Sequence, residues 1–222
     1  IAKCLDPIKE TGENVHSLWI FRNGYNIAGG STAPFDEFTA RRVYSTMKSV
    51  IAMGILFCVQ EGKLSFEDHI ADYFKESVPE NCASELLELT LRQTLNMSVG
   101  QYNDALGIFH ASKYGLGMVP FTMREKLKNL PFDPAGMSLE QIFFALPIDY
   151  KPGTEFHYVN TVPELLIRLI TKVTGTDFIS YLRSRLFEPL DITLFNGQET
   201  MREGWSPEAR ARGNGRIPGD AL

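Results

Sequence analysis

Ser45 and Lys48 have the residue types and the spacing of a nucleophile and its base. They are three residues apart, so in a helix they would share one face, with Cβ atoms about 5–6 Å apart. A serine hydroxyl is a weak nucleophile until a base removes its proton, and a lysine serves as that base where burial or neighbouring positive charge favours its neutral form. The pair therefore predicts a nucleophile, Ser45, and its base, Lys48. The alternative is coincidence, because about one Ser-x-x-Lys is expected in a chain of this length.

The residues after this pair predict a helix that positions it. Residues 50–59 (VIAMGILFCV) contain no charged or strongly polar side chain, and a helix that is apolar on every side is buried. Ten residues are too few to span a bilayer, so we expect the rest of the protein to cover this helix. Its N-terminus would also favour the negative charge that develops when Ser45 attacks a carbonyl group.

A second set of candidate residues lies in residues 152–160 (PGTEFHYVN). Tyr158 and Asn160 are two apart, so in an extended segment their side chains would point the same way. A phenol beside a lysine ammonium ionises more readily and can relay protons, and an amide can hold a substrate carbonyl or orient the lysine. The alternative is a buried tyrosine and an asparagine that caps the next helix.

The N-terminal region predicts a β-hairpin. Residues 17–21 (SLWIF) are rich in strand formers, Asn23-Gly24 is typical of a type I′ turn, and residues 25–28 return. A lone hairpin is too little sheet to be stable by itself. We find no convincing strands further along, so the sequence predicts an α+β fold whose antiparallel sheet is incomplete in this chain.

Capping-box patterns, in which Ser or Thr is followed three residues later by Asp, Glu or Gln, predict the helix starts. They occur at Ser65–Asp68, Thr90–Gln93, Thr122–Glu125, Ser138–Gln141 and Thr161–Glu164, and a last helix carries Phe178, Ile179, Leu182 and Leu186 on one face and ends at Glu188-Pro189. Residues 101–136 predict a long, partly irregular segment that could form a wall of a binding site. Residues 204–222, rich in Gly, Pro and Arg, predict a loop.

Composition argues against several classes of partner. The net charge is −5 and no run of Lys and Arg forms a basic patch, which argues against a nucleic-acid partner. Cys4, Cys58 and Cys82, like the histidines, lack the spacing of a disulfide framework or a zinc site, so we expect no metal. The sequence has no pattern of a signal peptide or membrane span. Because the sequence begins with Ile1 rather than Met, it does not distinguish between cytoplasm, periplasm and secretion. The sequence also does not predict an oligomeric state.

Several stretches together resemble one known family, in the same order and at similar spacing from about residue 17 to residue 190. The family is that of the serine β-lactamases and penicillin-binding proteins. The similarity is greatest to its class C-like branch, which includes D-alanyl-D-alanine carboxypeptidases, esterases and 6-aminohexanoate-dimer hydrolases. The matching stretches are the hairpin, the Ser45-x-x-Lys48 helix, residues 62–68 (GKLSFED), residues 89–100 (LTLRQTLNMSVG), residues 152–160 and residues 175–190.

The resemblance implies a β-lactamase/transpeptidase-like fold in one catalytic domain, residues 1–222. Residues 1–40 would hold the hairpin and residues 41–200 the helical region with the active site. It also implies catalytic roles for Ser45 as acylated nucleophile, Lys48 as its proton acceptor and Tyr158 as second acid or base. Asn160 would orient the substrate, and the backbone N–H of Ser45 would be one oxyanion donor. The substrate would be a small molecule or peptide with an amide or ester bond, and no cofactor would be needed.

The sequence departs from the family pattern in two places. The family's third motif, Lys-Thr-Gly or His-x-Gly on a late strand, is not found; residues 172–175 (KVTG) have an extra residue and lie at a helix end. We therefore expect that the chain lacks the family's C-terminal part. Residues 96–100 (NMSVG) also lose the usual histidine, which we expect to affect packing rather than chemistry. The resulting hypotheses are a serine hydrolase or, alternatively, a non-catalytic binding relative or inactive fragment of the same fold.

Overall fold

The computed structural model describes residues 6, 10–12, 15–35, 43–115, 127, 129–190 and 192. Its sheet, within these ranges, is one antiparallel pair formed by strands β1 (Ser17–Arg22) and β2 (Tyr25–Ser31). Asn23 and Gly24 between them have φ values of 50° and 81°, as a type I′ turn requires, so the predicted hairpin is confirmed. The register shifts once, between Ile20 and Phe21.

Eight helices follow the hairpin in the described part of the chain, so the α+β prediction is confirmed. Short 3₁₀ turns at Tyr44–Thr46 and Lys75–Ser77 and a π turn at Arg183–Phe187 accompany them. The helices are α1 (Met47–Gln60), α2 (Ile70–Tyr73), α3 (Ser84–Leu87), α4 (Leu91–Leu95), α5 (Ala105–Tyr114), α6 (Leu139–Ala145), α7 (Thr161–Thr174) and α8 (Phe178–Leu182). None of these helices has the length and apolar character needed to cross a bilayer.

Helices α1 and α7 pack against each other and form the centre of the core. Ile55 of α1 and Ile170 of α7 are completely buried. Burying side chains of this size contributes about 1.5–3 kcal/mol each. Gly54 allows close approach, because a Cβ there would lie 2.9 Å from Ile170 Cδ1 and 3.2 Å from Phe178 Cε2 of α8. This contact fixes the helix that begins directly after the candidate nucleophile.

One stripe of α1 contradicts the predicted burial on every side. Met53 is 38% exposed and Leu56 is 51% exposed, and they lie three residues apart on one helix face. The prediction was wrong for this stripe because apolar composition measures a helix's tendency to be buried. Whether a face is covered depends on which elements lie beside it, and the described elements leave this face open.

Two of the predicted capping boxes are confirmed, at the starts of α4 and α6. The side chain of Thr90 accepts from Gln93 N–H at 3.2 Å, and Gln93 Oε1 accepts from Thr90 N–H at 2.9 Å. Ser138 and Gln141 exchange the same pair of bonds at 3.2 and 2.8 Å. These boxes depend only on residues three apart, and the sequence is sufficient to locate them.

The other helix starts differ from the predictions or cannot be compared. Asp68 accepts from Ser65 N–H in a turn, and α2 starts only at Ile70. Thr161 is the first residue of α7 rather than its cap. The Thr122–Glu125 box, Cys4 and the loop at residues 204–222 lie outside the described residues. The division of the domain into a hairpin region, residues 1–40, and a helical region, residues 41–200, stays a prediction.

Candidate active site

Ser45 lies in the 3₁₀ turn that leads directly into α1, and Lys48 lies in the first turn of that helix. Lys48 Nζ donates to Ser45 Oγ at 3.0 Å. Ser45 is exposed and Lys48 is half-buried, so the hydroxyl is open to a substrate while the amine approaches it from the protein side. The preceding residue, Tyr44, has a φ of 45°, a left-handed backbone conformation that often occurs at functional sites.

Tyr158 and Asn160 both reach this pair. Tyr158 Oη lies 2.6 Å from Ser45 Oγ, and either hydroxyl can be the donor. Asn160 Oδ1 accepts from Lys48 Nζ at 3.4 Å. Lys48 Nζ also lies 4.8 Å from the centroid of the Tyr158 ring. All the predicted site residues are therefore within one hydrogen-bonded network.

The network favours the ionised form of Tyr158. Hydrogen bonding to Lys48, and then to Ser45, lowers the pKa of the Tyr158 phenol below the usual tyrosine value. Partial burial opposes this change, and so does the negative charge of Asp104. A phenolate next to a serine hydroxyl is a group that can accept the hydroxyl proton.

Residues 97–100 hold the segment that carries Tyr158. The backbone O of Ser98 accepts from Gly153 N–H at 2.9 Å, and the backbone O of Met97 accepts from His157 N–H at 3.0 Å. The Ser98 hydroxyl donates to the backbone O of Glu155. Met97, which stands where the family has histidine, is buried and contributes its backbone to this contact. The expectation that the change affects packing rather than chemistry stays a prediction.

Gly100 provides a test of this contact. Its φ is 91°, and a Cβ there would lie 2.8 Å from the backbone O of Tyr150 and 3.0 Å from Pro152 Cγ. We expect Gly100→Ala to reduce the free energy of unfolding by about 1–3 kcal/mol from backbone strain. The clash with Tyr150 should add a further loss and displace the segment before Tyr158. Urea denaturation measures the loss of stability. Covalent labelling of Ser45 in the folded protein measures the displacement of the site.

Gly115→Ala is the matched control. Gly115 has a φ of 90°, and a Cβ there would meet no atom of the described residues within 4 Å. Its substitution should therefore show the loss from backbone strain alone and leave Ser45 labelling unchanged. Equal losses of stability and labelling in the two variants would contradict the proposed role of the Gly100 contact.

Asp104 is a site residue that sequence reasoning missed. It is the N-cap of α5, and its carboxylate also accepts the backbone N–H groups of Asn160 and Thr161. An aspartate before an apolar run predicts its role at α5. Its contact with a segment 56 residues later has no local sequence pattern.

The weaker candidates make contacts of their own, with residues other than Ser45, Lys48, Tyr158 and Asn160. Lys172 lies in the last turn of α7 and forms an ion pair with Glu76, so the KVTG sequence stands at a helix end as expected. The His157 ring packs edge-on against Tyr102, with centroids 5.0 Å apart. No group of three His, Cys, Asp or Glu residues in the described ranges is arranged to hold a metal ion.

Comparison with protein-family models identifies the family. The model described as Beta-lactamase matches residues 9–210, which is most of the chain. The chain therefore belongs to the β-lactamase family, and the resemblance seen in the sequence is confirmed.

Solved structures agree on the fold. The chain is similar to a putative 6-aminohexanoate-dimer hydrolase from Bacillus anthracis, with a TM-score of 0.58, 18% identity and coverage of 84% of this chain and 46% of the other. For the octameric penicillin-binding protein homologue from Pyrococcus abyssi, the TM-score is 0.58 and the identity 22%. The match covers 86% of this chain and 42% of the other. For the D-amino acid amidase from Ochrobactrum anthropi, complexed with L-phenylalanine amide, the TM-score is 0.58 and the identity 21%. The match covers 86% of this chain and 51% of the other.

These similarities show a β-lactamase/transpeptidase-like fold, of which this chain holds a part. The chain spans about half the length of these solved structures, between 42% and 51%. Its two-stranded sheet is incomplete relative to them. The late strand that carries the family's third motif has no counterpart in the described ranges, where the strands are β1 and β2.

Proposed function

We propose that the protein is a serine hydrolase that cleaves an amide or ester through an acyl-enzyme on Ser45. One observation carries the proposal: Ser45 Oγ lies 3.0 Å from Lys48 Nζ and 2.6 Å from Tyr158 Oη. Both groups are within the hydrogen-bond reach required of a base that removes the hydroxyl proton. An exposed serine with two potential proton acceptors is an arrangement suited to nucleophilic catalysis.

In the first half of the reaction, Ser45 Oγ attacks the substrate carbonyl carbon while its proton passes to neutral Lys48 or to the Tyr158 phenolate. The carbonyl oxygen becomes an oxyanion, and the backbone N–H of Ser45 would stabilise it. The tetrahedral intermediate then breaks its bond to the leaving group. Tyr158 or Lys48 returns the proton to the leaving nitrogen or oxygen, and the acyl group stays on Ser45.

In the second half, water replaces the leaving group. The same basic groups accept a proton from water as its oxygen attacks the ester carbonyl, by the reverse of the proton transfer to the leaving group. Collapse of the second intermediate releases the carboxylic acid, and the proton returns to Ser45 Oγ. Asn160 accepts from Lys48 through Oδ1, which leaves its NH₂ group to donate to a substrate oxygen.

The substrate class is an amide or ester. The names of two similar proteins, a dimer hydrolase and an amidase, support this class. A penicillin, a D-Ala-D-Ala peptide, a short-chain ester and a linear amide are the candidates that a substrate panel should compare.

Covalent labelling of the full-length protein tests the proposal. We expect a fluorophosphonate to add one phosphonyl group, located on Ser45 by peptide mass spectrometry, and heat-denatured protein to remain unlabelled. Ser49→Ala, which removes an exposed serine from the first turn of α1, should label like the wild type. Folded full-length protein without label on Ser45 would overturn the proposal and favour the alternative, a non-catalytic binding relative.

A further inference from the structure

The Asp104 carboxylate receives four hydrogen bonds from the starts of two helices. Oδ2 accepts from Asn160 N–H at 3.1 Å, and Oδ1 accepts from Thr161 N–H at 3.0 Å. Oδ1 also accepts from the Thr161 hydroxyl and, at 3.3 Å, from Leu106 N–H. The Leu106 N–H is shared with Thr161 Oγ1 at 3.0 Å. One side chain therefore caps α5 and α7 together.

This cap acts directly on the segment that carries the candidate catalytic groups. Asn160, whose backbone Asp104 holds, uses its side chain to accept from Lys48. Tyr158 lies two residues earlier on the same segment. Asn160 itself makes no side-chain cap bond to α7, so Asp104 performs the capping and leaves the Asn160 amide available to the site.

We propose that Asp104 is a positioning residue for the reaction, which holds Asn160 and Tyr158 in register with Lys48 and Ser45. This inference rests on the proposed serine-hydrolase function. Reacting groups must be placed to within a fraction of an ångström, and a displacement of about 1 Å can reduce the rate about 100-fold. Because Asp104 does not contact Ser45, its contribution acts through the residues that it holds.

The chemistry of the cap requires a carboxylate. Both oxygens of Asp104 accept hydrogen bonds, and every group that faces them is a donor. An asparagine at this position would direct its NH₂ group at one of these donors and would lose at least one bond. The negative charge also suits two helix N-termini, where backbone N–H groups converge.

The same charge affects how Tyr158 ionises. The charged groups that act on the Tyr158 phenol are Lys48 of α1, which lowers its pKa, and Asp104, which raises it. Removing the charge of Asp104 while keeping its shape should therefore lower the pKa of Tyr158. The rise of activity with pH should then begin at lower pH, a change that a loss of packing alone would not produce.

The test compares Asp104→Asn with Asp177→Asn in the full-length protein. Asp177 caps α8 by accepting a single bond from Ser180 N–H at 3.0 Å. An asparagine there keeps this bond through its amide oxygen, so Asp177→Asn removes a carboxylate from a helix start without removing the cap. For Asp104→Asn we expect kcat for an activated ester to fall about 10–100-fold. KM should stay within about threefold, and the acidic limb of kcat/KM should move to lower pH. Asp177→Asn should show neither kinetic change.

A third variant keeps the test decisive if Asp104→Asn does not fold. Asp104→Glu retains the charge and lengthens the side chain, so kcat should fall while the acidic limb stays at the wild-type pH. Unchanged kcat in both Asp104 variants, or the same kinetic change in Asp177→Asn, would overturn the inference. Labelling of the wild-type protein at Ser45 distinguishes the two proposals. If the wild type is labelled but the Asp104 variants behave as in either of these outcomes, only the role of Asp104 is contradicted. If the wild type is not labelled, the serine-hydrolase function and the role of Asp104 are both contradicted.

Discussion

Ser45→Ala should reduce kcat for an activated ester by about 10⁴–10⁶-fold, the range seen when a catalytic nucleophile is removed. The variant retains Lys48 and Tyr158 but has no oxygen to form the acyl-enzyme. The residual rate would come from substrate binding and from activated water. The measurement is steady-state hydrolysis of a chromogenic ester by the full-length protein, with fluorophosphonate labelling as a second assay.

The fold should survive this substitution. Ser45 is exposed, and substitutions at such sites usually change stability by no more than about 0.5 kcal/mol. If the thermal unfolding midpoint is unchanged, the lost activity is due to the missing Ser45 hydroxyl rather than to unfolding. A Ser45→Ala protein that hydrolyses the ester at more than a tenth of the wild-type rate would contradict the assignment of the nucleophile.

Tyr158→Phe should reduce kcat/KM by about 10²–10⁴-fold, the usual contribution of a general acid or base. The substitution removes only Oη, which lies 2.6 Å from Ser45 Oγ, and keeps the ring beside Lys48. Because hydrogen bonding to Lys48 lowers the pKa of Tyr158, its phenolate should form below the usual tyrosine range. Wild-type activity should rise with pH through that pKa, and this rise should be absent in the variant.

Tyr102→Phe is the control for loss of a phenol near the site. The Tyr102 hydroxyl donates to Glu155, and this hydrogen bond raises the pKa of Tyr102. Its removal should leave the pH profile in place. If Tyr158→Phe keeps both the rising limb and more than half of the wild-type kcat/KM, Tyr158 is not the acid or base.

The parts of the site that could be predicted are those set by local spacing. Ser45 and Lys48 share a helix face because they are three residues apart, and the Asn23-Gly24 turn and the Thr90 cap follow equally local rules. The convergence of Tyr158 on Ser45 required the family resemblance as well, since no spacing rule brings together residues 113 positions apart.

The parts that could not be predicted depend on which elements meet in space. Asp104 holds Asn160 across 56 positions, and only the packing of α5 beside α7 reveals the contact. The exposed stripe at Met53 and Leu56 has the same cause, because a helix sequence does not state which of its faces has a neighbour. The family assignment was accessible from several ordered motifs, whereas the hydrogen bonds that support the site were not.

The distance in sequence between Ser45 and Tyr158 has a consequence for folding. Bringing residues 113 positions apart into contact requires closure of a long loop, whose entropy must be overcome before the contact contributes any stability. Contacts between residues so far apart in sequence form slowly compared with contacts within a helix. During refolding, helix content measured by circular dichroism should therefore recover before reactivity of Ser45 does. Labelling at Ser45 would then report the kinetics of long-range assembly.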